Sequence, residues 1–447
     1  MRARTDLPFS YDMSYLKRHR EVVDPVPPPP RFAARTGREV ALPVRVVREL
    51  GPLHAALGGR LMPRLEPRGL TEVATQAHHT LGLLRYEPTD AYPLHRGAPS
   101  PRCLYASELT YVSLGGEVLP RGLYRYHPAR HSLVERPLPD ADFLEREVTR
   151  GLEGASDGWL VSTRLARIAY RYGAFATRLA LLEAGHVLCQ LRLVSRALGL
   201  PTRVRSCWGD AGLARGLEEG ETPLAFVSHR PAGEDVAPEG TASPAPDALG
   251  VGLREALLRR SSAHGSSGVY PVPRPVSAAE LATLGWYALE EGREAPVREV
   301  LGLTLYLVVL QGRDVRPGVY RWSPEERAAH WLHPLPAGVD VPGVLFLSPG
   351  FAVRHCPVVG VVAADVRSAF RTWGEEGYFR VLEQTGRVAQ RVALSAAALG
   401  LFARPAVGLD EVATDRLLGL HLARETALYT LLVGKDREPG FPVRLAL

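Results

Sequence analysis

The chain is short of the residues that usually announce chemistry. Its four cysteines, Cys103, Cys189, Cys207 and Cys356, form no CxxC pair and no metal-ligand spacing. That excludes a disulfide framework and a zinc ribbon, and the four read as small buried hydrophobes. No HExxH, Walker A or GxSxG motif occurs, which removes the commonest metalloprotease, NTPase and serine-hydrolase readings. No apolar run reaches the roughly 18 residues of a membrane-spanning helix. The basic start, MRARTDLPFSYDMSYLKRHR, lacks the apolar core of a secretory signal. We expect a cytoplasmic protein that makes no contact with membranes.

Lysine is almost absent: Lys17 and Lys435 stand among 54 basic residues, and the rest are arginines. The net charge is +6. The arginines are interleaved with 48 acidic residues rather than gathered in a patch, so we expect no nucleic-acid partner. The residual positive field suits an acidic peptide or a phosphate. What is plentiful is apolar: 46% hydrophobic against 23% charged, a globular composition. At 447 residues the chain is long for one domain.

Internal repetition supplies the organisation. GLYRYHP at 122–128 returns as GVYRWSP at 318–324. RGAPSPR at 96–102 returns as REAPVRE at 293–299. The stretch 173–200 returns without a gap at 374–401, with Gly173, Gly185, Val187, Leu198, Gly199 and Leu200 recurring as Gly374, Gly386, Val388, Leu399, Gly400 and Leu401. Three blocks in one order imply two copies of a domain of about 200 residues. Residues 229–249, rich in Pro, Ala, Gly and acid, have linker composition. We therefore expect an N-terminal extension over 1–50 with a stiff PVPPPP spacer at 25–30, domains over 51–228 and 250–447, and a linker between them. In each copy the patterns predict a helix (71–85; 277–290), a strand (108–114; 303–310), a turn into a second strand, a long helix and a closing strand (224–229; 427–434). In 373–399 the apolar residues Leu382, Val388, Val392, Leu394 and Ala398 broadly follow a helical period, and Gly400 is placed for a left-handed cap. The fold class is α+β, with antiparallel-type sheets packed on long helices.

LLEAGHVLCQLRLVSRALGL at 181–200 resembles the central helix of flavin-dependent nitroreductase-fold proteins. With RRSS (259–262), PSPRCLYASEL (99–109), GLYRYHPARHSL (122–133) and RYGAFATRLALLEAGHV (171–187), the ordered set resembles the SagB-type dehydrogenases, the azoline oxidases of ribosomal peptide modification. The resemblance implies two tandem nitroreductase-like domains forming an intramolecular pseudo-dimer, with FMN held between them. It assigns Arg259, Arg260 and Ser261 to the phosphate, Val407 and Gly408 to the flavin edge, and Lys435 and Arg437 to a C-terminal basic pair. The first copy supplies Pro99 and Ser100. The mirror set is depleted: PRLEPRG (63–69) stands where a clamp would be, and Pro296-Val297 has no hydroxyl. One FMN per chain follows.

Guanidinium forks and a serine hydroxyl suit a phosphate dianion. The family's Lys-Tyr pair is Arg171-Tyr172 here. Tyr172 is the candidate for proton handling and Arg171 its electrostatic partner, since arginine does not act as a base. His186 reads equally as a satisfied core histidine or as a proton carrier. The implied activity is FMN-dependent oxidation of thiazoline or oxazoline rings to azoles in a precursor peptide, alongside a cyclodehydratase, in a thiopeptide-like pathway. An NAD(P)H-dependent reductase of an alkene or nitro group is the alternative, and a flavin-less scaffold of a peptide-modifying complex the third reading.

Overall fold

The computed structural model describes residues 37–63, 69–88, 92–116, 118–152, 154–229, 245–263, 269–289, 301–346, 351–420, 424–437 and 443–445. The PVPPPP spacer, nearly all of PRLEPRG, most of the linker, and REAPVRE with Pro296-Val297 lie outside the described residues.

Continuous apolar runs make the central strands. In the first half β1 (Glu39–Ala41) is followed by the short β2 (Arg85–Tyr86) and β3 (Leu94–His95). Then come β4 (Ser107–Ser113), β5 (Gly122–His127), β6 (Ser132–Arg136), β7 (Asp157–Arg164), β8 (Thr202–Ser206) and β9 (Glu221–His229). In the second half follow β10 (Thr304–Val309), β11 (Gly318–Ser323), β12 (Ala328–His333), β13 (Val358–Ala364), β14 (Phe402–Ala406) and β15 (Thr426–Gly434), with β16 (Val443–Arg444) last. Every residue of β10 and β13 is buried, as a strand covered on both faces must be.

The two sheets repeat one plan. The first runs β1-β6-β5-β4-β7-β9-β8 and the second β12-β11-β10-β13-β15-β14. Without β1 these are the same order, and every neighbouring pair is antiparallel. A register irregularity falls between Val161 and Ser162 in β7 and between Val362 and Ala363 in β13. These are the same place in the repeat. The fold is thus α+β, two nitroreductase-like domains forming an intramolecular pseudo-dimer, each sheet packed on a long helix.

Those helices, Ala176–Ala197 and Glu375–Ala398, cross at the seam. Gly185 and Gly386 meet there: a Cβ on either would overlap a carbonyl oxygen of the other helix, Glu383's or Leu182's. Only glycine lets the two backbones approach so closely. Gln390 Nε2 donates to Gln190 Oε1 across the seam at 2.8 Å. A reciprocal pair repeats the symmetry: Leu53 N–H donates to Val251 C=O at 2.7 Å, and Leu253 N–H to Gly51 C=O at 2.9 Å. Leu53, Leu57, Leu193, Leu253, Leu257 and Leu394 form one core across this seam.

Two boundaries differ from the sequence reading. Residues 39–41, counted in the N-terminal extension, are an edge strand of the first sheet. The second half's tail, β16, pairs with β2 of the first. Among the described residues no helix is long and apolar enough to cross a membrane.

Candidate functional site

Residues from both halves converge along one edge of the seam. From the first half comes the loop joining β3 to β4. Arg102, Cys103 and Tyr105 in it hold φ of 48°, 51° and 52°. Left-handed backbone at three non-glycine residues in four is costly, and it persists only where surroundings impose it. Ser100 is pinned at the loop's start: its hydroxyl donates to Glu183 Oε2 at 2.6 Å and accepts from Tyr105 N–H at 2.8 Å. Glu183 Oε1 accepts from Ser107 N–H at 2.8 Å. Burial pushes the Glu183 carboxyl above its usual range despite these partners.

From the second half comes the turn after the short helix Leu253–Arg259. Arg260 is turned inward, 3% exposed. Its Nη1 donates to Ser262 Oγ at 3.1 Å, while its Nε has no hydrogen-bond partner. Burial, then Arg85, lowers its pKa to about 10, so it remains charged at neutral pH. It also interacts electrostatically with Tyr105 and Cys103, which joins the clamp to the first half's loop. Ser261 is fixed by Ala403 N–H, which donates to its C=O at 3.1 Å.

Tyr172 ends the short helix Ala166–Tyr172 and packs in one apolar cluster with Phe175, Ile168 and the second half's Val407. Burial pushes its phenol up from the usual value, although Arg102 beside it pulls the other way. Arg102, at the solvent edge, hydrogen-bonds Tyr92 and Tyr172. Arg404 of β14 also acts on Tyr172 and ties back to the clamp, donating to Ser262 C=O at 3.1 Å. Gly408, next to Val407, lies where a Cβ would press on the Phe346 ring.

The structure therefore brings together Pro99 and Ser100 with their loop, Tyr172, Arg260, Ser261, Val407 and Gly408. It separates others. Arg259 is exposed and pairs with Glu255 at 2.8 Å. Lys435 is exposed and donates to Gly400 C=O at 3.1 Å, capping the second long helix. Gly400 holds φ of 67°, the expected left-handed cap. Arg437 is exposed. Arg171 is exposed, its guanidinium 5.7 Å from the Tyr170 ring, so the cation beside Tyr172 is Arg102 instead. His186 is fully buried between Gln390 (2.9 Å) and the Tyr429 hydroxyl (3.3 Å), and burial lowers its pKa to about 3. That is the satisfied core histidine.

Sequence reasoning missed Arg102 and Arg404. Arg102 lies inside the PSPRCLY motif and was readable by proximity; Arg404 carried no signal. The mirror clamp is also relocated. The reciprocal bonds of Gly51–Leu53 with Val251–Leu253 set Gly59-Arg60-Leu61, not PRLEPRG, opposite Arg259-Arg260-Ser261. One arginine and the serine are missing there, and Arg60 is exposed.

Residues 287–435 match the Nitroreductase family. No curated protein matches the chain. Among solved structures, a protein of Anabaena variabilis ascribed to the nitroreductases shares 18% identity over 93% of this chain and 96% of its own, with a TM-score of 0.72. The Escherichia coli microcin synthetase McbBCD complex shares 19% identity over 40% of this chain and 71% of its own, at 0.33. A protein of Exiguobacterium sibiricum, also ascribed to the nitroreductases and in complex with FMN, shares 17% over 46% and 95%, at 0.27.

Proposed function

We propose that the chain, a duplicated domain with units over 51–228 and 250–447, is an FMN-dependent oxidoreductase. We assign its activity to the dehydrogenation of thiazoline or oxazoline rings in a ribosomally made precursor peptide. The observation that carries the reading is Arg260, a buried cation from one half with an unpartnered Nε, facing a strained loop from the other. Arg96 of the first half adds a second: it is 4% exposed, and its Nε and Nη1 have no hydrogen-bond partner. Under-satisfied buried guanidiniums fit an anionic group such as a phosphate dianion.

In this reading Arg260 and Ser261 hold the FMN phosphate. Pro99, Ser100, Val407 and Gly408 border the ring. Bound FMN supplies a two-electron acceptor. The chain's own residues handle the proton. Raised by burial, Tyr172 is a neutral phenol at rest, so it works as a relay: its oxygen accepts the substrate's proton as its own passes outward. Arg102 and Arg404 stabilise the negative charge that develops on that oxygen. Arg171, at the surface, is left to orient the peptide. The peptide and the cyclodehydratase that forms its rings are the expected partners.

The test is incubation of the purified protein with an azoline-bearing peptide in air, read by mass spectrometry. Loss of two hydrogens per ring supports the reading. Colourless protein that binds no added FMN overturns it. Yellow protein that turns over NADPH but leaves the peptide unchanged replaces the azoline dehydrogenase with a reductase.

A further inference from the structure

A second constellation lies next to the clamp, where β2 and β3 meet the strained loop. Cys103 Sγ is 3.8 Å from His95 Nδ1. His95 Nε2 is 3.6 Å from Glu87 Oε2, and Glu87 is 2% exposed. Glu87 Oε1 is in turn 3.6 Å from Arg85 Nε. Thiol, imidazole and carboxylate thus stand in the order of an activated nucleophile, at the looser spacing common before a substrate tightens such a site. Arg85 and Arg260 both interact electrostatically with Cys103. The Tyr105 hydroxyl also interacts with Cys103. Cys103 is half-buried, within reach of small molecules.

The other cysteines lack this setting. Cys189 is fully buried in the seam core. Burial pushes the Cys207 thiol up, with Asp210 adding to it, and pushes Cys356 up to about 12. Both stay protonated and unreactive at neutral pH.

We propose that Cys103 is a nucleophilic thiol whose substrates are small peroxides, with His95 as proton acceptor and Glu87 positioning His95. His95 takes the thiol proton and Arg85 and Arg260 stabilise the thiolate. The sulfur attacks one oxygen of hydrogen peroxide: an S–O bond forms, the O–O bond breaks, and the departing hydroxide takes the proton from His95 and leaves as water. Sulfur is oxidised by two electrons to a sulfenic acid, and the peroxide is reduced. The choice of peroxide rests on the proposed function, because reoxidation of a reduced flavin by oxygen releases it beside this loop. The nucleophilicity does not rest on that function.

The experiment is site-resolved alkylation of the purified protein by iodoacetamide at neutral pH, read by peptide mass spectrometry. Cys103 should react on the order of tenfold or more faster than Cys207, and His95→Gln or Glu87→Gln should slow it by about as much with the thermal melt unchanged. After hydrogen peroxide, a dimedone adduct should map to Cys103 in the wild type and not in Cys103→Ser. Should the His95 variant fail to fold, the wild-type pH–rate profile decides: a midpoint below about 8.5, the free-thiol value, supports the proposal, and one at or above it overturns it. Alkylation of Cys103 no faster than Cys207, or unchanged in His95→Gln, also overturns it. Fast alkylation without a dimedone adduct overturns the peroxide substrate. The readout needs no flavin: labelling as expected in protein that binds no FMN would sink only the oxidoreductase reading, and sluggish labelling in a yellow protein only this one.

Discussion

The two halves share a strand order and part company in their chemistry. On the outer face of the first sheet Glu108 is buried among arginines: Arg167 at 2.6 Å, Arg125 at 3.1 Å and Arg164 at 3.4 Å. Burial would raise its pKa, but these three hold the carboxyl below its usual range. Arg136 and Glu221, 3.0 Å apart, extend the network. The same register positions in the second sheet carry Thr304 and an exposed Arg321, and its outer face is a core of Tyr306, Val308, Val359, Val361 and Leu432. The candidate cleft shows a similar contrast. Val407 and Gly408, three and two residues before the Asp410 helix cap, are small beside Tyr172; their counterparts are Cys207 and Trp208, before the Asp210 cap. Trp208 packs on Phe379 at 4.6 Å, and both join a core with Trp373, the counterpart of Tyr172. Strand order asks only for apolar faces and matched register, so two halves can share a backbone plan while their buried polar groups differ. A site asks for particular atoms, and where the candidate cleft has Val407, Gly408 and Tyr172 the other half has Cys207, Trp208 and Trp373.

Paired substitutions can break that contrast, and the largest effect belongs to Tyr172. Tyr172→Phe removes only a hydroxyl, so flavin content should hold while azole formation falls about 10²–10⁴-fold. Trp373→Phe, its mirror, should leave turnover unchanged. Equal losses would mean that both clefts work. Next in size is the charge network. Arg125→Ala leaves Glu108 buried with fewer partners and should cost about 3–5 kcal/mol in denaturant unfolding. Arg321→Ala, at the exposed counterpart, should stay within about 0.5 kcal/mol. Third is the clamp. Arg260→Ala loses a charge-assisted contact of about 1.5–3 kcal/mol, so FMN affinity should fall ten- to over a hundredfold. Arg60→Ala should leave affinity unchanged, and released flavin should measure one per chain. A ratio of two, or equal loss in both variants, would show that the halves are functionally alike.

How much of this was legible follows from what each feature depends on. The repeat, the long helices and the main strands were readable because apolar periodicity and glycine punctuation are local: 375–398 and 426–434 lie close to the expected spans. That Arg260 and the Pro99–Ser100 loop share one site is an expectation from motif resemblance, not from physics. The cation beside Tyr172 differs from the expected one, because the resemblance to the family's Lys-Tyr pair pointed to Arg171, whereas successive helical residues point to different faces. The clamp's counterpart was misplaced, although Leu53, Ala56, Leu57 and Arg60 recur as Leu253, Ala256, Leu257 and Arg260 and the backbone hydrogen bonds at Leu53 and Leu253 fix that alignment. The Cys103–His95–Glu87 cluster was unreadable, because the pairing of β2 with β3 and the loop after β3 bring its members together and no local motif announces them.

The smallest effect per group concerns acid, and again it divides the halves. The first half buries His78, His79 and His186, while the described histidines of the second, His330, His333 and His355, are half-buried or exposed. Burial, with repulsion from neighbouring His79 and His131, lowers the pKa of His78 to about 3. Burial lowers that of His79 to about 4, against the opposing hydrogen bond to Thr75 C=O. Between those values and the unfolded value of about 6.5, the unfolded chain binds protons that the folded chain refuses. Stability is therefore full above about pH 6.5 and is lost as pH falls, by about 1.4 kcal/mol per pH unit for each such histidine. Urea unfolding at pH 7, 6 and 5 should show this slope in the wild type, and His78→Asn should flatten it by about one histidine's share. Because the first half's core continues across the seam, acid should loosen both halves together. Hydrogen exchange at pH 5 that opens β4, β5 and β7 while β10, β11 and β13 stay protected would instead mean that the halves unfold independently.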